Sequence, residues 1–192
     1  RSVEMAKRYH VDLEVLSSYV RKPGTKVKEV IKSVERMIIS GVAKDAKIAR
    51  VDVLGVPDQP GTAFKIFSIL GKSNINVDII LQSAGKYADT NDISFTVAAA
   101  DADAARAVLE EYAESIGYAK LNVDPNVAKV SIVGAGMMNT AGIAVKMFEA
   151  LADRNINIQM ISSSEIKLSV VIAESEADAA VSAIHAKFFG ED

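Results

Sequence analysis

The stretch Leu54-Gly-Val-Pro-Asp-Gln-Pro-Gly-Thr-Ala63 carries residue types suited to holding a small zwitterion. Pro57, Pro60 and Gly61 cannot continue a regular sheet, so the spacing predicts a strand over 50–56, a tight turn, and a helix that begins after Pro60. A helix start presents unpaired N–H groups and partial positive charge, which attract a carboxylate. Asp58 adds an acid beside those donors. One turn can therefore take a ligand carboxylate at the helix start, around Gly61 and Ala63, and its ammonium on Asp58. A plain turn with an N-terminal charge would show the same residues without any ligand. Further on, Asn76 and Asp78 stand two apart where the next strand, expected over 77–83, begins, and alternation there puts their side chains on one face.

The elements that must position these residues occur twice. Aligned without gaps, residues 61–80 match residues 142–161 at 9 of 20 positions, including Gly61/Gly142, Ala63/Ala144, Lys65/Lys146, Phe67/Phe148, Leu70/Leu151 and Asn-Ile-Asn at 74–76 and 155–157. Each copy reads as a strand ending in glycine, a helix with apolar residues at i, i+3, i+4 and i+7, an Asn-rich break, two strands, and a second helix that opens on acidic residues. The strands are expected over 50–56, 77–83, 93–98 and 119–123 in the first copy, and over 130–134, 158–163 and 167–172 in the second. The second helices are expected over 101–115 and 176–188. The order is that of a ferredoxin-like βαββαβ unit, so the fold class is α+β. The second copy lacks a fourth strand, and residues 37–43 offer a strand with no partner of its own. That strand is expected to complete the second sheet, leaving the first copy inserted into the second. Ahead of the duplication, residues 1–10 read as a helix, 11–18 as a strand and 21–25 as a turn.

Composition removes several function classes. The 192 residues carry a net charge of −3, without the basic surface that nucleic acid demands, and no apolar run reaches membrane-spanning length. There is no cysteine, hence no disulfide framework or thiolate site, and His10 and His185 stand far apart. Gly134-Ala-Gly136 hints at a dinucleotide loop, but Asn139 holds the third glycine's place. A cytoplasmic protein is expected.

The glycine turn, the following helix, Asn-Ile-Asn and the duplication resemble the ACT family of small-molecule-binding domains. Within it, Val51-Asp-Val-Leu-Gly-Val-Pro-Asp-Gln-Pro-Gly61, Ile75-Asn-Val-Asp78 with Leu81-Gln82, Lys129-Val-Ser-Ile-Val-Gly-Ala-Gly-Met137 and Ile161-Ser-Ser-Ser-Glu-Ile166 are similar to the paired regulatory domains of bacterial aspartate kinase. Ser17-Ser-Tyr19 and Lys22-Pro-Gly24 are similar to the tail of the kinase domain of that family. The resemblance implies two ferredoxin-like ACT domains, the first inserted into the second. A kinase-domain tail is expected over 1–25, the first ACT domain over 46–125, and the second over 35–45 with 126–192.

The same resemblance implies a regulatory subunit or region. It would be inactive by itself, hold no cofactor, bind threonine, lysine or both, and feed that binding back on aspartate phosphorylation. Its expected partners are a second copy, docked through the ACT domains, and a catalytic kinase subunit. The family pattern adds Asn76, Asp78 and Gln82 to the first site, where Asn76 and Gln82 suit the hydroxyl of threonine. It also implies a pocket around Asn157, Ile158, Ser164 and Met137, although the second turn, 135–142, is two residues longer and lacks an acid. The alternative reading is an assembly module that holds kinase subunits together and senses nothing.

Overall fold

The computed structural model describes residues 2–20, 22–27, 39–134, 137 and 140–190. The chain divides into two units, Arg1–Met37 and Ile38–Asp192. In the first, helix α1 (Ser2–Arg8) precedes an antiparallel pair, β1 (Leu13–Val15) and β2 (Thr25–Val27). β2 follows the Pro23-Gly24 turn and was not expected there.

The second unit contains β3 (Gly41–Pro57), α2 (Thr62–Lys72), β4 (Val77–Ala84), β5 (Thr90–Ala98), α3 (Ala102–Glu111) and α4 (Ala113–Ile116). These are followed by β6 (Lys120–Val133), α5 (Ile143–Ala152), β7 (Met160–Ser163), β8 (Lys167–Ala173) and α6 (Ala177–Phe189). The strands form one sheet, ordered β4-β5-β3-β6-β8-β7, with every pair antiparallel. β3 and β6 are long because each serves both copies. Residues 48–57 of β3 pair with β5, and 50–54 pair with 120–124 of β6. Residues 41–45 pair instead with 129–133, the part of β6 that also pairs with β8. The segment ahead of the first copy thus lies in the sheet of the second, and the buried Ile39 packs into the second copy's core. Of the strand expected over 37–43, Met37 and Ile38 lie outside the described residues.

Two separate strands were expected on each of these paths. The stretches between them, 44–49 and 124–129, hold Lys44, Asp45, Lys47 and Pro125. The structure carries the strand through both and absorbs the mismatch in register shifts between Asp45 and Ile48 and between Ile48 and Arg50. Pro125 sits at that irregular level, where a missing ladder donor is tolerated.

Each copy has its own core. Ala49, Val51, Val53, Phe95 and Val97 alternate on one face and meet Ile66 and Leu70 of α2 and Ala105 and Leu109 of α3. The Phe67 and Phe95 rings meet edge to face at 5.5 Å. In the second copy, Val130, Ile132, Leu168, Val170 and Ile172 meet Met147 and Leu151 of α5 and Ala180 and Ile184 of α6. A third cluster, Ile48, Ile79, Val127, Met160 and Val171, joins residues of both copies where they meet. Its members alternate with the helix-facing residues on β3, β6 and β8. Ile79 reaches it because β4 bulges between Val77 and Ile80.

Candidate functional site

Glycine at the two helix starts is demanded by backbone angle. Gly61 and Gly142 are the N-cap residues of α2 and α5, with φ of 96° and 88°. A Cβ at either would meet nothing within 4 Å, so the constraint is conformational and not spatial. Each glycine carbonyl accepts from the amide of a lysine four residues on, Lys65 or Lys146, at 2.9 Å. At the far ends of these helices, Asn74 and Asn155 take φ of 58° and 55°, and the next amides, Ile75 and Ile156, donate back to Leu70 and Leu151 at 3.0 Å. The first Asn of each Asn-Ile-Asn is thus a left-handed helix stop, and the Ile is buried; Asn76 and Asn157 are exposed.

Neither helix has a side-chain cap or an acid in its first turn, so no side chain of the turn competes with an anion for the amides there, although the Thr62 amide donates to the Gln59 carbonyl at 3.3 Å. In the first copy, Thr62 Oγ1 donates to the Pro57 carbonyl at 2.9 Å, which closes the turn. The exposed Asp58 accepts from Asn91 Nδ2 at 2.7 Å, and its amide donates to Asp89 at 2.9 Å. Its carboxylate is therefore held beside the helix start without capping it. Ala63 is half-buried against the first core, and Gln82 is exposed on β4.

Asp78 is placed differently from the expectation. β4 begins at Val77, so Asn76 precedes the strand, and the bulge that follows breaks the alternation that would have aligned the two side chains. Asp78 instead receives a hydrogen bond from Lys129 Nζ on β6. That hydrogen bond, helped by the positive charges of Lys129 and Lys167, outweighs partial burial and holds its carboxyl below the ordinary 3.8.

A concave site lies at the second turn. A cavity of about 380 Å³, toward the small end of the roughly 300–1,000 Å³ typical of ligand pockets, opens at the start of α5. Gly142, Ile143 and Ala144, the counterparts of Gly61, Thr62 and Ala63, form one wall; Met137 and Leu168 form an apolar one. Thr140, Ser163, Ser164 and Glu165 supply polar groups. The Ser164 amide and Oγ both donate to the Lys167 carbonyl, at 2.8 and 3.2 Å, so it also closes the β7–β8 hairpin. Of the four residues expected around this turn, Met137 and Ser164 line the cavity, whereas Asn157 and Ile158 do not. Residues 135, 136, 138 and 139 of the turn lie outside the described residues.

Glu165 answers the acid that the second turn lacks. It comes from the hairpin, not from the turn, and its signal was its place directly after Ser162-Ser-Ser164. The cavity thus combines a helix N-terminus, a carboxylate, hydroxyls and an apolar wall, which is the donor set for a small zwitterion with a partly apolar side chain.

The ACT domain model matches residues 51–112 and 130–188, one match for each copy. The aspartate kinase of Pseudomonas fluorescens is 47% identical over 189 residues, 98% of this chain and 46% of that protein. The chain thus spans about half the length of the curated relatives it matches. Among solved structures, one of aspartokinase alpha and beta subunits is 44% identical, with a TM-score of 0.73 over 78% of this chain and 98% of the other. The ligand-free regulatory subunit of aspartate kinase from Thermus thermophilus is 39% identical, with a TM-score of 0.74 over 79% and 99%. With both copies matched and the likeness running through whole regulatory subunits, the chain belongs to the ACT-domain family, as a tandem pair like the regulatory part of bacterial aspartate kinases.

Proposed function

We propose that this tandem pair senses end-product amino acids, threonine, lysine or both, and feeds their binding back on an aspartate kinase catalytic subunit. It is inactive alone and acts in the cytoplasm, beside the kinase. The observation that carries this reading is the cavity at the start of α5, whose helix amides and Glu165 suit the two ends of an amino acid. The first turn, with Asp58 held beside the open start of α2 and with Gly61, Ala63, Asn76 and Gln82 near it in sequence, is the second effector position. In this reading residues 46–125 form one ACT domain, 35–45 with 126–192 the other, and 1–25 the tail of a kinase domain.

Calorimetry with threonine and with lysine tests it. Saturable heat with dissociation constants in the micromolar to millimolar range is expected for so small a ligand. No heat with either at millimolar concentration contradicts it.

A second reading, an assembly module without sensing, is favoured by the sheet edges. β4 and β7 are both edge strands, and exposed apolar side chains recur at duplicated positions, Phe64 with Val145 and Ile80 with Ile161. Such edges suit pairing with a second copy. Binding and assembly measured together separate the readings: a chain that dimerises but binds neither threonine nor lysine makes assembly alone the better account, whereas a threonine response that Asp58→Ala weakens while dimerisation stays unchanged supports sensing.

A further inference from the structure

Arg50 and Lys129 hold equivalent places in the duplication, each directly before a helix-facing valine, Val51 or Val130. Asp78 and Gln159 are equivalent too, each two residues beyond Asn-Ile-Asn. The structure joins them crosswise. Lys129 of the second copy donates to Asp78 of the first, and Arg50 of the first donates to Gln159 of the second. The apolar cluster that joins the copies has members related in the same way, Ile48 with Val127 and Ile79 with Met160.

The roots of these pairs are informative. Arg50 lies on the strand that runs into the Asp58 turn, and Lys129 on the strand that runs toward Met137 and the cavity. Their acceptors follow Asn76-Val77 and Asn157-Ile158, in the opposite copy. Each pair therefore ties the stem of one copy's turn to the segment that enters the second strand of the other. The backbone ladder is irregular at this level, with β3 and β6 shifting register on both sides of Ile48, so side chains span a place where the sheet is locally broken.

The two ties differ in kind. Arg50 is anchored within its own copy, by Asp52 at 3.1 Å, and Asp52 in turn accepts from Ser94 at 2.7 Å. Lys129 is shared between the copies. Its side chain is only 12% exposed, and Asp45, which lies in the second copy's sheet, stands 3.8 Å away. A nearly buried ammonium needs a carboxylate partner, because leaving it unpaired is costly. Lys129 thus bridges a carboxylate of each copy at once, Asp78 of the first and Asp45 of the second.

We propose that this crossed pair of ties couples the two copies, with Lys129 as the positioning residue that bridges them; its effect on effectors rests on the sensing reading above. Amide hydrogen exchange on the full chain tests the coupling without any ligand. Met147→Ala opens the second copy's core, and the account expects exchange in β4, in the first copy, to rise about fivefold or more. In the background Lys129→Met with Gln159→Leu, the rise should stay within the second copy. Leu151→Val replaces Met147→Ala if that variant does not fold, and Lys129→Met alone replaces the double background on the same ground. If β4 does not respond in the parent chain, or responds equally without the ties, the proposal is overturned.

The effector arm measures how far threonine changes the affinity for lysine. About a fivefold or larger effect in the parent chain should fall toward none in the tie variants, while each single affinity stays within about twofold. Binding of neither amino acid removes the sensing reading and leaves the exchange result to decide the ties.

Discussion

Replacing one glycine by alanine has opposite consequences at two places ten residues apart in the same segment. Gly61 sits at φ 96° with open space around its missing Cβ, so Gly61→Ala costs the strain of a left-handed alanine, about 1–2 kcal/mol. Gly71 lies within α2, also in open space and without a positive φ, so Gly71→Ala removes unfolded-state freedom at no steric cost and stabilises by about 0.5–1 kcal/mol. For a unit of this size each kcal/mol moves the melting temperature by about 2–4 °C. The two variants should therefore shift in opposite directions and stand several degrees apart. Gly142→Ala, at φ 88° and equally open, should match Gly61→Ala. Guanidinium unfolding monitored by circular dichroism checks the free energies, and a thermal scan the midpoints. Shifts of the same sign at Gly61 and Gly71, or a harmless Gly142→Ala, would refute the view that the helix starts are fixed by backbone angle.

Other consequences concern the caps, the cores and the ties. Asn74→Ala and Asn155→Ala should each cost about 1 kcal/mol, and Asn→Gly at the same sites little or nothing, by the same unfolding assay. Leu70→Ala and Leu151→Ala, both fully buried, should each cost about 2–5 kcal/mol. Asp78 has a folded pKa below 3.8, so its tie to Lys129 adds stability above the ordinary aspartate range, and that stability is lost as pH falls through the lowered folded value. Asp78→Asn should be less stable than the parent chain at neutral pH and equal to it in strong acid. An offset that persists in strong acid would show that packing, not charge, sets the difference.

The duplication made most of the fold legible, because a helix start, its buried stripe and its Asn stop recur together in both copies. The long strands were not legible. Lys44, Asp45, Lys47 and Pro125 are linker-like by local chemistry, and only the pairing of both halves with different partners keeps the chain extended through them. At the site, the turns themselves could be read from Gly61 and Gly142, whereas the place of Asp78 could not. A bulge in β4 decides that place, and a one-residue bulge leaves no mark in a pattern of alternating residues. Glu165 was missed for a related reason: the acid was sought within the turn, and the hairpin beside it supplies one.

Amide chemical shifts during titration with threonine and with lysine test most directly the claim that these helix starts receive amino acids. The account predicts saturable shifts at Gly142 and Ala144 around the cavity, or at Gly61 and Ala63 in the first copy, ahead of those elsewhere in the sheet. Saturable binding that leaves all four amides unmoved would contradict it.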